Sequence, residues 1–497
     1  LIFYNFYYKN PSLLTKETVY KNYLDTESWR FFTLVNITPF IKKDSGPLYV
    51  QVYDDLRTKI MEGKIPFGSK LPSIRGLARH LHVSNNTISL AYDLLTDEGF
   101  IERKPRSGIY VKKQVEDIFP FSHSSEDDRK VEYKPSPRYD FRYGTLESTL
   151  FPSKTFHNIA NAVYAERQQE LFTYGDIQGE FGLRKEIHHY LINSRGVKCA
   201  PEQIIITSGT QQSLILLSQI LNLQDKLIGF EEPGYNGARI IFENSNVNVE
   251  PIPIKKDGLS IEELYKTNPY AVYVTPSHQF PTGVIMTQKK REQLLQWARD
   301  HHSFIIEDDY DSEFRYVGKP IQSIQGMDEA EKVIYLGTFS KLFLPSMRMS
   351  YIILPSPLLS IYKERFSLYE QTVPRLQQWI MEAFMKTHYL DKHIARMRNA
   401  YRKKHTTLIS EINKRFDANK FEILGECSGL HILVKVYGKS EEELIKLASS
   451  KDVKVYPTSP YWKRKPQCET GTVLLGFGSL SEEEIKQGVS ILSEVWM

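Results

Sequence analysis

Cysteine is scarce and scattered: the chain holds three, Cys199, Cys427 and Cys468. Their spacing makes neither a zinc ligand set nor a disulfide framework, so no metal site is expected and a reducing, cytoplasmic setting is. No apolar run reaches membrane-spanning length and no basic-then-apolar leader is seen, which argues against a membrane partner. Internal repeats and low-complexity tracts are missing, which removes repeat and fibrous folds. A large charge of one sign is missing too: the net charge is +4. Its distribution is uneven. Residues 47–113 carry 11 Lys+Arg against 7 Asp+Glu, so the remainder is neutral and the excess sits in one small unit, as phosphate binding requires.

What is present is a soluble globular composition, 41% hydrophobic and 25% charged, in 497 residues. That length predicts two or three units. Residues 1–40 open on LIFYNFYYKNPSLL, aromatic-rich and without periodicity, and are expected to be a disordered extension or a start artefact. Residues 41–113 form the basic unit, and 114–138, polar, charged and proline-containing, form a linker. From 139 to 497 short β-rich runs (IIIT 204–207, LIGF 227–230, AVYV 271–274, FIIE 304–307, VIYL 333–336, YIIL 351–354) alternate with amphipathic helical stretches. That predicts an α/β unit on a mixed, mostly parallel sheet, closed by a smaller α+β subdomain containing LHILVKV and TVLLGF.

In the basic unit, Val52, Leu56, Ile60 and Met61 recur at helical spacing before Gly63 and Pro66. Ser73 can cap a helix from Ile74 with Leu77, Ala78 and Leu81 inward. After the turn HVS, a second helix over about 85–98 buries Ile88, Ala91, Leu94 and Leu95. This leaves Asn85, Asn86, Thr87, Ser89 and Tyr92 outward near its start, the end that enters the major groove in a helix-turn-helix. Asn reads adenine bidentately, and Arg75 can read guanine or clamp phosphate. IERKPRSGIYV follows as a basic hairpin, with Lys104 and Arg106 at its tip and Gly108 allowing close approach to a backbone. Ser73 and Ser84, at the helix starts, join the DNA-contacting candidates. The run from Leu71 to Val111 resembles the winged helix-turn-helix of the GntR family. Two positions depart from it: His82 stands where that family often has glycine, and Asn85 and Asn86 stand where it often has arginine. His tolerates positive φ, so the resemblance in fold holds, while the operator sequence stays open.

GTFSKLFLPSMRMSYI, residues 337–352, places Lys341 in hydrophobic sequence with Arg348 seven positions on. Desolvation lowers a lysine pKa and frees the amine for Schiff-base chemistry. Pyridoxal phosphate needs such an amine, a carboxylate for its ring nitrogen, a phosphate cradle and a flat stacking group. FIIEDDYDSEF puts Asp308 and Asp309 at a strand end, with Tyr310 available to the cofactor's phenolic oxygen. In IIITSGTQQSLILL the N–H groups of Gly209, Thr210 and Gln211 open a helix and suit an anion. Thr338, Ser340 and Arg348 add hydroxyls and a fixed charge. FEEPGYNGAR presents Tyr235 as the stacking ring, and VTPSHQFPTGV brings His278 and Gln279 beside a turn.

These four strand-end motifs, in this order, resemble the fold-type I aminotransferases, dimers whose cofactor lies at the subunit interface. The resemblance implies Lys341 as the lysine that forms the aldimine and Asp308 as the pyridine partner. Tyr174, in YGDIQGEFGLRKEIHHYL, is similar to the tyrosine that reaches the partner subunit's cofactor phosphate. Where aminotransferases usually show Asn-Pro, Phe280 precedes Pro281, and His278 or Gln279 is expected to take over the asparagine's contact. Leu474 aligns with the arginine that holds a substrate carboxylate. Lys463, Arg464 and Lys465 lie nearby, in a stretch that suits a solvated loop.

Winged helix, linker and aminotransferase-like unit together resemble the MocR-like transcription regulators, which include regulators of γ-aminobutyrate use and of pyridoxal phosphate synthesis. The resemblance implies a homodimer that binds a DNA operator and whose Lys341 senses an amine, an amino acid or the cofactor itself. An aminotransferase with an accessory winged helix is one alternative, with residual transamination compatible with either. A DNA-binding protein that uses the large unit only as a dimer scaffold is another.

Overall fold

The computed structural model describes residues 46–112, 137–318, 321–465 and 471–497, which fall into two compact units, one on each side of position 133/134. The expectations for residues 1–40 and for nearly all of the linker fall outside them.

The smaller unit is built from α1 (Leu48–Met61), β1 (Lys70–Leu71), α2 (Ile74–Leu81), α3 (Asn85–Asp97), β2 (Ile101–Lys104) and β3 (Gly108–Val111). The strands form a sheet in the order β1-β3-β2, both pairs antiparallel. Ser73 and Ser84 cap α2 and α3, each hydroxyl accepting a backbone N–H three residues on at 3.1 Å. His82 ends α2 in the left-handed region at φ 54°, ψ 39°, so the position commonly glycine keeps its backbone shape with a side chain attached. One element differs from expectation. Tyr92, expected outward, is buried with Ile88, Ala91 and Leu95, while Leu94 is exposed. Positions 88, 91, 92 and 95 are the i, i+3, i+4, i+7 stripe of a single helix face, and 94 lies off it. The Tyr92 hydroxyl is satisfied inside by donating to the Pro72 carbonyl at 3.1 Å.

In the larger unit the strands run β4 (Tyr139–Asp140), β5 (Ile204–Thr207), β6 (Leu227–Glu232), β7 (Asn248–Lys255), β8 (Gly258–Leu259), β9 (Ala271–Val274), β10 (Phe304–Asp309), β11 (Val333–Thr338) and β12 (Ser350–Ile353). Then come β13 (Phe421–Leu424), β14 (His431–Val436), β15 (Val453–Lys454), β16 (Tyr456–Pro457) and β17 (Thr472–Gly476). Eight of them form one sheet in the order β5-β12-β11-β10-β9-β6-β7-β8. The β7–β6–β9–β10–β11 pairs are parallel, while β12 runs antiparallel to both β11 and β5. Consequently β5, β6, β9, β10 and β11 all end on one edge. The expected runs form β5, β6, β9, β10, β11 and β12. β7 was not anticipated, because Pro251 and Pro253 weaken its strand signal. They are tolerated because the side of β7 away from β6 pairs lightly: β8 pairs with Ile254 and Lys255, and at Pro253 only the carbonyl is used, accepting from the Ser260 N–H at 3.0 Å.

The C-terminal subdomain is the antiparallel sheet β13-β14-β17-β16, packed by the helices Tyr389–Arg415 and Glu482–Trp496. Among the described residues no helix is long and apolar enough to cross a membrane.

Because His82 already occupies the left-handed region, His82→Gly should hold or raise the stability of the smaller unit. His82→Val should lower it by about 1–2 kcal/mol, since a β-branched side chain resists that backbone. Denaturant unfolding of the full chain, followed by a probe in the smaller unit, measures both.

Candidate functional site

A cavity of about 550 Å³ opens at the shared strand edge, a size suited to a small ligand. Each wall traces to a strand end. β10 ends in Asp308 and Asp309, and because successive strand residues face opposite sides, only one of them can meet the cavity. It is Asp308. Asp309 turns away and pairs with Arg195 (Nε–Oδ2 2.6 Å) and Tyr335 (2.6 Å), and Arg195 holds its carboxyl below the usual range against the cost of burial. Asp308 accepts from the Tyr273 hydroxyl at 2.5 Å, and its Oδ1 has no hydrogen-bond partner among the described residues. Burial, with Asp309 adding to it, pushes the Asp308 carboxyl up to about 7.

β11 delivers the lysine. After Thr338 the chain turns, passes a short helical turn at Pro345–Met347 and returns as β12, antiparallel. A parallel return would need a long crossover; the short antiparallel one keeps Ser340, Lys341, Pro345 and Arg348 on the cavity. The Lys341 ammonium lies 4.1 Å from the centre of the Tyr143 ring. Burial pushes its pKa down to about 8, with Asp311 opposing. Gly144 leaves room for it: a Cβ there would stand 3.0 Å from Nζ.

At the end of β5, Gly209 (φ 102°) precedes α4 (Thr210–Ile220), whose first N–H groups carry no side-chain cap. A Cβ on Gly209 would lie 2.3 Å from the Arg348 guanidinium, so glycine is what admits that arginine. Among the described residues no carboxylate pairs with Arg348. Thr338 Oγ1 receives bonds from the Ser340 N–H (3.2 Å) and the Ser350 hydroxyl (2.9 Å). The uncapped helix start, the hydroxyls and the arginine converge on one end of the cavity, an arrangement made for an anion. Tyr235 and Tyr310 line the remaining walls. The Tyr310 hydroxyl donates to the His278 carbonyl at 2.7 Å.

Residues 145–491 match the family model "Aminotransferase class I and II" and residues 48–111 match "Bacterial regulatory proteins, gntR family". The chain is 43% identical over 465 residues to the HTH-type transcriptional regulator YdeL of Bacillus subtilis, covering 93% of this chain and 100% of that protein. It is 30% identical over 466 residues to the probable rhizopine catabolism regulatory protein MocR of Rhizobium meliloti, covering 91% and 94%. The chain belongs to the MocR-like transcription regulators. Among solved structures, the multiple substrate aminotransferase of Thermococcus profundus superposes with a TM-score of 0.66 at 25% identity, over 73% of this chain and 92% of that one. This MocR-like protein is thus a DNA-binding regulator whose large unit takes pyridoxal phosphate as cofactor. The residues present fit that group: the cavity-facing Asp308 with an oxygen that has no partner among the described residues, a neutralisable lysine, and a cradle that a Cβ would fill.

Of the thirteen cofactor candidates, Lys341, Asp308, Tyr310, Tyr235, Thr210, Gln211, Thr338, Ser340 and Arg348 line the cavity and Gly209 abuts it. Three do not reach it. The Gln279 amide is spent on the loop itself, donating to the Pro233 and Phe280 carbonyls (2.8 and 2.7 Å) and accepting from Thr282. His278 is buried behind Tyr310 and paired with Asp311 (2.9 Å). Neither takes over the contact that Asn-Pro provides in aminotransferases; Phe280 itself lines the cavity. Tyr174 stands 84% exposed, away from this chain's own cavity. Lys463 and Arg464 turn to Val249 and Glu250. Sequence reading missed Tyr143, Tyr273 and Thr275; Tyr273 and Thr275 share one face at the end of β9, a strand end that could have flagged them, whereas nothing local marks Tyr143, which arrives from a distant loop.

In the winged unit, Arg75, Asn85, Asn86, Lys104 and Arg106 are exposed, with Thr87 and Ser89 half-buried beside them. Buried Tyr92 is withdrawn as a DNA contact. Gly108 (φ 127°) gives its open side to Lys70, whose Cε would lie 2.6 Å from a Cβ there, rather than to a nucleic-acid backbone.

Two outcomes follow for the cavity. Borohydride-trapped labelling of Lys341 by pyridoxal phosphate should rise about tenfold per pH unit below pH 8 and level off above it, because the free amine is the reactive form and its pKa is about 8. Asp308→Asn should weaken cofactor affinity roughly tenfold to a hundredfold, the worth of a charge-assisted hydrogen bond, as measured by equilibrium dialysis.

Proposed function

We propose that the cavity senses a small amine and that its occupancy sets how two winged units engage an operator. Pyridoxal phosphate supplies an aldehyde that amines can compete for. Lys341 holds the site with an amine whose pKa burial lowers to about 8, so a larger fraction is free near physiological pH than for an ordinary lysine. Asp308 would hold a proton on the ring nitrogen, Tyr235 would stack on the ring, and Tyr310 would turn its hydroxyl from the His278 carbonyl to the phenolic oxygen. The N–H groups at Gly209, Thr210 and Gln211, with Thr338, Ser340 and Arg348, would hold the phosphate.

Leu474 carries the choice between sensor and aminotransferase. It is fully buried and packed with Phe280 and Leu433, flanked by Tyr143, Tyr235 and Tyr461. Arg348, at the anion end, is the only arginine lining the cavity among the described residues. An incoming amine therefore meets an aromatic, apolar wall where an amino-acid substrate needs a cation. Amines with an apolar remainder are the favoured effectors.

A homodimer suits the same unit. Phe172 (87% exposed), Tyr174 and Leu368 (95%) form unpartnered apolar surface. Arg375, which follows Leu368 closely, binds the Thr173 carbonyl at 2.9 Å and so ties the two stretches together. A second copy covering them brings Tyr174 to its partner's site and pairs the winged units for a two-fold operator. To act as a switch, the amine must bind one arrangement better than the other. Function in the cytoplasm follows from the DNA partner.

The deciding experiment is the visible spectrum of cofactor-loaded protein beside Lys341→Ala, before and after an amine panel that includes γ-aminobutyrate. A band absent from Lys341→Ala and moved most by apolar amines is expected. A band that only amino acids move, with steady turnover of a 2-oxo acid, would establish an aminotransferase instead. For the winged unit, Asn86→Ala and Arg75→Ala should relax sequence preference in selection from a random DNA pool. Lys104→Ala and Arg106→Ala should weaken all sequences alike and lower the salt slope by about 1 each.

A further inference from the structure

A second cavity, of about 270 Å³, lies behind β10, on the face to which Asp309 points. Five arginines line it, Arg195, Arg291, Arg315, Arg398 and Arg402, beside one acid, Glu313. Two of the five are neutralised: Arg195 by Asp309 at 2.6 Å, and Arg291 by Glu307 at 3.8 Å together with three backbone carbonyls. The other three have no carboxylate partner among the described residues. Arg398 spends its Nε on the Glu313 carbonyl (2.8 Å) and Arg315 its Nε on the Val317 carbonyl (2.9 Å), which leaves their terminal nitrogens available.

Glu313 does not balance them. Its side chain accepts from the Tyr190 hydroxyl, and burial followed by the nearby Asp309 pushes its carboxyl up to about 7. A second feature points the same way. Ser428 lines the cavity, is 3% exposed, and its Oγ has no hydrogen-bond partner among the described residues. A buried hydroxyl donor beside unbalanced guanidinium groups, in a cavity with room for a few heavy atoms, lacks an acceptor that carries negative charge.

We propose that this cavity binds a small oxyanion of double negative charge, a phosphate group or a short dicarboxylate, held by Arg315, Arg398 and Arg402 with the Ser428 hydroxyl. The site is separate from the lysine cavity but adjoins it through one ion pair. Arg195 lines the second cavity and holds Asp309, the neighbour of Asp308. An anion held by Arg315, Arg398 and Arg402 in the same cavity therefore acts on the carboxylate pair at the end of β10 through the Arg195–Asp309 ion pair, and the regulator has a second chemical input.

The test uses the full chain loaded with pyridoxal phosphate, so that the cofactor's own phosphate cradle is filled. Inorganic phosphate and succinate are titrated separately by calorimetry at constant ionic strength. One saturable site per chain is expected for at least one probe, and which probe binds identifies the anion class. Arg402→Gln should weaken it roughly tenfold or more. Arg402 is exposed, so its loss leaves the fold intact. Ser428→Ala should weaken it in the same direction, and Arg464→Gln, outside the cavity, should leave it unchanged. Absence of saturable binding by both probes, or binding that Arg402→Gln and Ser428→Ala leave untouched, overturns the proposal. The cofactor's visible band, followed in each variant, separates loss of this site from loss of the lysine site.

Discussion

A buried carboxylate with one oxygen left open is the constraint around which the large unit is arranged. Burying a charge without a partner is expensive, and a protein keeps such a group only where something else repays it. Asp308 has Tyr273 on one oxygen and nothing among the described residues on the other. Its neighbour Asp309 also keeps one oxygen open, but its other oxygen holds the Arg195 guanidinium and the Tyr335 hydroxyl, so its charge has a buried counter-ion. The two residues differ by one position and point to opposite faces of the sheet. The same strand end therefore carries a structural ion pair on one side and, facing the cavity on the other, a carboxylate with no cation paired to it among the described residues.

The lysine opposite depends on a second constraint, the reversal between β11 and β12. In a sheet that is otherwise parallel across its middle, one antiparallel strand lets the chain turn back at once. The turn keeps Lys341 and Arg348 at the edge where β5, β6, β9 and β10 also end. Arg348 then reaches the start of α4 only because Gly209 offers no Cβ. Chemistry that the chain spreads over more than a hundred residues meets in one cavity, and the connections that bring it there are short.

Much of this was legible because it is written locally. A buried strand followed by small or acidic residues announces a strand end, and β5, β6, β9, β10, β11 and β12 were readable that way. So were the Ser73 cap of the winged unit and the tolerance of His82 for a left-handed backbone. The misreadings have physical causes. Tyr92 falls outward when Leu94 is taken into the buried stripe; the helix instead buries its ring at the i+4 position and satisfies its hydroxyl on Pro72. Gln279 was expected to meet the cofactor because it stands next to the turn, yet its amide closes that same turn. β7 was missed because two prolines obscure an edge that has little pairing to lose.

By itself, the sequence determined the order of the units, the strand ends, the lysine, the two candidate carboxylates and the basic winged module, since each rests on neighbours within a few positions. The tertiary structure decided which of two adjacent aspartates faces the cofactor, which aromatic rings complete the wall, and that arginines from positions 195 to 402 gather behind β10. Those outcomes depend on which face a side chain takes and on which distant strands become neighbours, and spacing along the chain carries neither.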